Sequence, residues 1–344
     1  MSSHRGGEGA VVSSGARRRR VTIHDVARSA GVSRQTVSRA LNDKGEIQDS
    51  TKQRVLDAAR ELGYQPSRFA RGLVRQDTVT IGLVIPDLLN PFFTEVAAAA
   101  LAAAGERGWH VVVHDTSDSP EKERATLRVI GSQVDAVIGY FSSPEDEIDR
   151  GTRGVPVVLV GREHHAPRFG SIRIDGADGI GEAVAHLAAR GHRRIGMLDH
   201  QGRPEPSDRC AWFAAAAAAH GVDADAVTGA HQSVAGGEAA LPRLLAAHPD
   251  ITAVLTFNDV IAVGALRAAR RLGRRVPQEL AVIGFDGLPL GDLVEPALTT
   301  VSLDIGQLGA LAVAEAARLL AGPGESAAGA SLVVRGSLLV RGSA

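Results

Sequence analysis

The chain reads as an α/β protein: a three-helix helix-turn-helix head at the amino end, then a two-lobed body with parallel sheets. Three observations predict this. Short amphipathic helices crowd residues 22–63, with a glycine turn between the first two. From about Thr78, β-branched apolar runs alternate with Ala-rich helical stretches, the pattern of parallel sheets covered on both faces. That alternation starts afresh near residue 175, so the body divides into two similar lobes, the second over approximately 175–301. A length of 344 residues accommodates two or three domains.

Residues 1–20 are Gly, Ser and Arg with almost no large apolar side chain and read as a disordered basic arm. The head proper spans 21–65. Thr22 and Asp25 form a capping box, and Ile23, Val26, Ala27 and Ala30 follow at helical spacing. Gly31 ends that helix. Ser33 caps a second helix with Val37, Ala40 and Leu41 inward. After a polar loop, Asp49 or Ser50 opens a third helix with Val55, Ala58, Ala59 and Leu62 inward, and Gly63 stops it. Residues 66–77 are a hinge: Ser67 to Val74 can make two helical turns, but Gly72 and the short length leave them marginal until docked.

The body, 78–344, carries strands in VTIGLVIP, WHVVVHD, VDAVIGY and VPVVLVG. RRIGMLDH, ITAVLTFND and LAVIGFD follow in the second series. Ligands of open α/β sheets sit beyond the carboxyl ends of the strands. This points to IPDLLNPFF, GYF, VGRE, FND and GFDG. The chain end, LVVRGS then LLVRGS, reads as a final strand with a duplicated tail and no heptads.

Charge divides the molecule. Residues 1–76 hold 15 Lys/Arg against 7 Asp/Glu, whereas the remainder holds 23 against 32. A basic head on an acidic body suits a polyanion at one end, and either nucleic acid or an anionic membrane surface fits. The amino terminus has no apolar core of a secretory signal, and the run Val96 to Ala104 is about half of a membrane span. A lone Cys210 closes no intramolecular disulfide. A cytoplasmic setting is expected.

On the second helix, Arg34, Gln35, Ser38, Arg39 and Asn42 form one polar stripe opposite Val37 and Leu41. Arginine forks match guanine and glutamine amides match adenine in the major groove. The hydroxyls of Thr22, Ser33 and Thr36 can hold phosphates. A solvated helix face is the bland alternative, and its place in a helix-turn-helix of a basic segment weighs against that. Elsewhere, GIGEAV is an incomplete dinucleotide fingerprint better read as helix packing. No Cys/His cluster, GxSxG or P-loop occurs, so no cofactor, metal or catalytic residue is expected.

TIHDVARSAGVSRQTVSRALN (Thr22 to Asn42) and RVLDAARELGYQPSRFARGL (Arg54 to Leu73) resemble the head and hinge of LacI/GalR transcriptional regulators. The resemblance continues through NPFF, HLAARGHRRIG, FNDVIAVGAL, VIGFDG and PALTTV, covering nearly everything after residue 20. It implies that Arg34, Gln35 and Arg39 read bases, and that Thr22, Ser33, Thr36, Ser38, Asn42 and Tyr64 contact backbone or groove. Ser67, Ala70 and Leu73 then lie on a hinge helix entering the minor groove of a near-palindromic operator, with Leu73 as the wedge. Gly72 replaces the family's usual non-glycine residue.

In the body the resemblance implies lobes similar to periplasmic sugar-binding proteins, closing on a small effector, a sugar or a related metabolite. Arg209 matches an arginine holding effector hydroxyls or a carboxylate, and Asp286 a hydroxyl acceptor with Asn258 beside it. Asn90, Phe92 and Tyr140 match ligand-facing positions of the first lobe. Two departures stand out: Gly161 where many members have aspartate, and Gln232 where lactose-type members stack a tryptophan. The implied protein is a homodimeric, nucleoid-associated repressor, not an enzyme. The competing readings are a sugar-binding receptor serving a transporter, which the missing signal and the head oppose, and an enzyme on a sugar or nucleotide.

Overall fold

A computed structural model of the chain describes residues 23–41, 47–62, 78–164, 169–201, 206–322 and 332–344. The basic arm, the hinge, and the positions Thr22, Asn42, Tyr64, Ser67, Ala70 and Leu73 lie outside the described residues. The chain forms two compact units, 1–78 and 79–344.

In the first unit, α1 (Ile23–Ala30), α2 (Arg34–Leu41) and α3 (Asp49–Glu61) bury Val26, Ala27, Ala30, Val37, Ala40, Val55, Ala58 and Ala59 against one another. Gly31 turns the chain at φ +63, and Val32 N donates to Ala27 O at 3.1 Å, the six-to-one bond of a left-handed helix cap. Ser33 Oγ accepts from Thr36 N at 3.0 Å and caps α2. Arg54 of α3 donates to Ala30 O at 3.1 Å, satisfying the open end of α1. The third helix opens at Asp49, as expected, and Gln48 caps it without a side-chain bond. One expectation changes in detail. Leu62, expected inward, is 37% exposed because it is the capping residue, one turn past the buried Ala58 and Ala59.

The second unit contains β1 (Thr80–Ile85), α4 (Pro91–Glu106), β2 (His110–Asp115), α5 (Pro120–Ile130), β3 (Ala136–Gly139), α6 (Glu145–Thr152), β4 (Val157–Val160) and β5 (Phe169–Asp175). Then come α7 (Ala177–Ala189), β6 (Ile195–His200), α8 (Asp208–His220), β7 (Val227–Ala230), α9 (Val234–Ala247), β8 (Ala253–Thr256), α10 (Asp259–Arg271) and β9 (Ala281–Asp286). The last elements are β10 (Thr299–Leu303), α11 (Ile305–Leu320) and β11 (Leu332–Leu339). Helix starts follow local chemistry: Asn90, Ser119, Ser207, Ser233, Asn258 and Asp304 each accept a hydrogen bond from a first-turn amide. Among the described residues no helix is long and apolar enough to cross a membrane.

Strand order is β2-β1-β3-β4-β5-β11-β10-β9-β8-β6-β7. Read from each edge, both lobes have the same doubly wound order, second-first-third-fourth-fifth. The final strand joins them. Leu332 to Arg335 pair in parallel with Ile172 to Asp175 of β5, and Gly336 to Leu339 run antiparallel to Leu303 to Thr300 of β10. The second copy of the tail repeat is stitched down as well: Ser343 Oγ accepts from Thr299 N at 2.8 Å and donates to Val282 O at 2.6 Å.

Two helix glycines set the spacing of the second lobe. A Cβ on Gly264 of α10 would lie 2.1 Å from Val234 O, and one on Gly237 of α9 would lie 2.1 Å from Ile261 O. The two backbones therefore touch, and neither wall is a side chain that can rotate away. Gly264→Ala is expected to cost about 3 kcal/mol, the upper range for overpacking. Thermal or urea unfolding checks this; an unchanged midpoint would show that the helices part freely.

Candidate functional site

Each helical residue turns about 100°, so Arg34, Gln35, Ser38 and Arg39 fall within an arc of about 140° on α2. Arg34, Gln35 and Arg39 are exposed, while Val37 and Ala40 on the other side are buried. The first turn of α2 carries no acidic residue, so the positive helix end is left open to an anion. The Thr36 hydroxyl lies 2.8 Å from Ser33 Oγ and shares the cap. Ser38 is half-buried at the edge of the stripe. The face is a row of long cationic and amide donors on a rigid, capped helix.

In the second unit the candidates gather where the strand order reverses. Asn90 and Phe92 follow β1, and Tyr140 follows β3. Arg209 lies on the helix after β6, Asn258 follows β8, and Asp286 closes β9. These are the carboxyl ends of adjacent strands at each lobe's switch point, where ligands of such sheets bind.

Arg209 and Asp286 form the centre. Arg209 Nη2 donates to Asp286 Oδ1 at 3.3 Å, and Nη1 donates to the Phe257 carbonyl. The guanidinium carbon lies over the Phe257 and Phe285 rings, 4.2 and 3.8 Å from their centroids. Only 14% of the Arg209 side chain and 3% of Asp286 is exposed. Burial lowers the arginine pKa, countered first by Asp286. Burial pushes the Asp286 carboxyl well above the usual carboxylate range; Arg209 opposes this, and the charges of Asp259 and Glu95 add to it.

The first lobe supplies rings. Phe92, Phe93 and Tyr140 meet edge to face with centroids 5.1–6.0 Å apart. The Tyr140 hydroxyl is buried without a hydrogen-bond partner among the described residues. Burial raises its pKa well above the ordinary value; the charge of Asp286 adds to this and that of Arg209 opposes it. Asn90 Oδ1 is spent on the α4 cap, accepting from Phe92 N at 3.1 Å. Asn258 Oδ1 caps α10, and its amide donates to Gln232 Oε1 at 3.1 Å. The two asparagines thus shape the rim first.

Supports lie behind. Asp199 accepts from Ser207 N at 3.1 Å and Oγ at 2.6 Å, pinning the start of the helix that carries Arg209. Buried Glu123 accepts from Ser142 N, Ser142 Oγ and Ser143 N at 2.8–2.9 Å, fixing the loop after Tyr140. Gly161 has φ +81 and a Cβ there would approach the Tyr140 ring at 3.5 Å, so the departure from aspartate coincides with a left-handed backbone. Sequence reasoning missed Phe257, Phe285 and Glu95. The available signals were an aromatic immediately before Asn258 and Asp286, and an acid three residues after Phe92 on one helix face. Together these groups offer donors, acceptors and ring faces to a small hydroxyl-bearing molecule.

Comparison with known proteins agrees with both parts. The family model described as bacterial regulatory proteins, lacI family, matches residues 22–67, and a periplasmic binding protein-like domain matches 184–344. The ribose operon repressor of Halalkalibacterium halodurans is 37% identical over 295 residues, covering 84% of this chain and 87% of that protein. Among solved structures, a LacI family transcriptional regulator from Arthrobacter sp. FB24 in complex with lactose is similar at TM-score 0.70 and 32% identity. It covers 77% of this chain and 99% of its own. The lac repressor dimer bound to operator and the anti-inducer ONPF is similar at TM-score 0.71 and 27% identity, over 94% and 99% of the two chains.

Proposed function

The chain belongs to the LacI family of bacterial transcriptional regulators, and from that premise we propose that it is a homodimeric repressor whose operator affinity is set by a sugar held between its two lobes. The division is a head over 21–65, a hinge over 66–77 and an effector-binding, dimer-forming body over 78–344. Arg34, Gln35 and Arg39 read base edges, with Ser33, Thr36 and Ser38 at the backbone. Thr22, Asn42, Tyr64 and the hinge residues Ser67, Ala70 and Leu73 complete the interface. Arg209, Asp286, Tyr140, Phe92, Asn90 and Asn258 take the effector. The observation that carries this reading is a buried Arg209–Asp286 pair at the strand ends of one lobe and a buried Tyr140 hydroxyl, without a partner among the described residues, at those of the other.

Relatives whose names speak of a ribose operon and of lactose support a sugar as the effector class. The action takes place in the cytoplasm at the nucleoid, because the operator is there. Catalysis has no part in this reading, and turnover of a bound sugar would overturn that. The experiment is a selection of duplexes from a random pool by the full-length chain, at several salt concentrations, with and without D-ribose or lactose. A dyad-symmetric motif is expected, and a sugar is expected to shift affinity for it by about 5- to 150-fold, the usual coupling between two sites. Absence of any enriched motif would sink the proposal.

A further inference from the structure

We propose that Asp259 is a positioning residue for the effector cleft: its carboxylate holds the Asp286–Gly287–Leu288 turn in the one conformation that lays the Asp286 side chain against Arg209. This rests on the cleft reading above. Asp259 is the first residue of α10, where an acid is ordinarily exposed and steadied by the helix end. Here it is completely buried. Oδ2 accepts from Leu288 N at 2.7 Å, and Oδ1 accepts from Thr300 Oγ1 at 2.6 Å. One side chain thus ties α10 to both β10 and the turn leaving β9.

The turn needs such a tie. Asp286 has φ +118 and Gly287 φ +82, and a non-glycine residue in that region is costly unless its surroundings over-determine it. The surroundings are built around the carboxylate. A Cβ on Gly284 would lie 2.1 Å from Asp259 Oδ1, and one on Gly287 would lie 2.2 Å from Ser302 Oγ, so both glycines leave room for this packing. Burial pushes the Asp259 carboxyl up to about 6, so at neutral pH a charge is kept out of water, and two donors offset that cost. Asp259 touches neither Arg209 nor the cleft wall in any hydrogen bond; its neighbour Asn258 faces that way instead. Its hydrogen bonds reach a ligand only through the turn that carries Asp286, while its charge also acts on Arg209 and Asp286.

The test uses full-length Asp259→Ala and Asp259→Asn, with Arg209→Ala as the cleft control. An asparagine can rotate to accept from Leu288 N and donate to Thr300 Oγ1, whose own proton then finds Val301 O at 3.5 Å. Hydrogen exchange by mass spectrometry over residues 286–292 reads the turn directly, and calorimetry with D-ribose and lactose reads the cleft. Asp259→Ala should speed exchange at the turn about tenfold more than in neighbouring β10. It should weaken sugar binding about 10-fold or more, the value of hydrogen bonds to a charged group. Sugar-free operator affinity should stay within about twofold. Asp259→Asn should restore both turn and sugar affinity.

Unchanged exchange at 286–292 in Asp259→Ala overturns the inference, as does an asparagine variant that falls with the alanine one. Should the alanine variant fail to fold, Thr300→Val carries the test at about threefold loss of sugar affinity, and no loss overturns it. Sugar binding that survives Arg209→Ala, or a parent chain that binds neither sugar, removes the cleft reading alone. The exchange result then decides what Asp259 does to the turn.

Discussion

Replacing Arg209 by alanine leaves operator binding intact and removes the response to sugar. Its guanidinium meets Asp286, bonds the Phe257 carbonyl and covers the Phe257 and Phe285 rings. Truncation strands a buried carboxylate, and breaking a buried pair in this way costs about 3–5 kcal/mol. Urea unfolding of the second unit should therefore shift to lower midpoint at neutral pH. Arg209 holds the Asp286 pKa down against burial, so its removal raises that pKa further. A raised folded-state carboxyl loses stability as pH rises through its pKa, so the gap between parent and variant should narrow as pH falls. Operator titrations with and without D-ribose and lactose check the functional half. A sugar response that persists in Arg209→Ala would mean the effector lies elsewhere.

The parts that were readable from sequence are those governed by local chemistry. Gly31, Ser33 and the Asn and Ser caps act on their own first turns, so the residues alone announce where helices begin and end. The strand-end motifs around Asn90, Tyr140, Asn258 and Asp286 were placed by alternation, because parallel strands must deliver their carboxyl ends to one edge. The remainder depends on partners far away in the chain. LVVRGSLL shows nothing of its division between β5 and β10, which only the pairing of residues about 160 and 40 positions apart creates; Gly336 at the changeover was the local hint. Phe285 reads as an ordinary core residue and Asp259 as an ordinary helix acid. Their roles come from the positive φ of Asp286, which swings that carboxylate towards Arg209 and leaves the turn to be tied from behind. Residue type signals such a backbone angle only weakly when the residue is not glycine, even for an aspartate.

Arg34→Ala together with Arg39→Ala should reduce operator affinity by about 2–6 kcal/mol, at 1–3 kcal/mol for each guanidinium on a base edge. The head should still fold, because both side chains are exposed and the buried contacts of α2 belong to Val37 and Ala40. The informative quantity is how the loss is distributed over sequences. An arginine bidentate to guanine carries preference at one position, so its removal flattens the selected motif at two positions per half-site and spares binding to random duplex. An arginine on a phosphate carries none: its removal weakens every duplex alike and lowers the salt slope by about one per contact. Both residues stand on the exposed face of a capped helix whose amino end is free of acid, and either use is chemically open to a guanidinium. What separates them is Gln35, an amide between the two that has no attraction for phosphate comparable to a cation. If the stripe reads bases, Gln35→Ala should flatten a third position with no change in salt slope. A uniform loss in the arginine pair and silence at Gln35 would turn the face from a reader into an electrostatic grip.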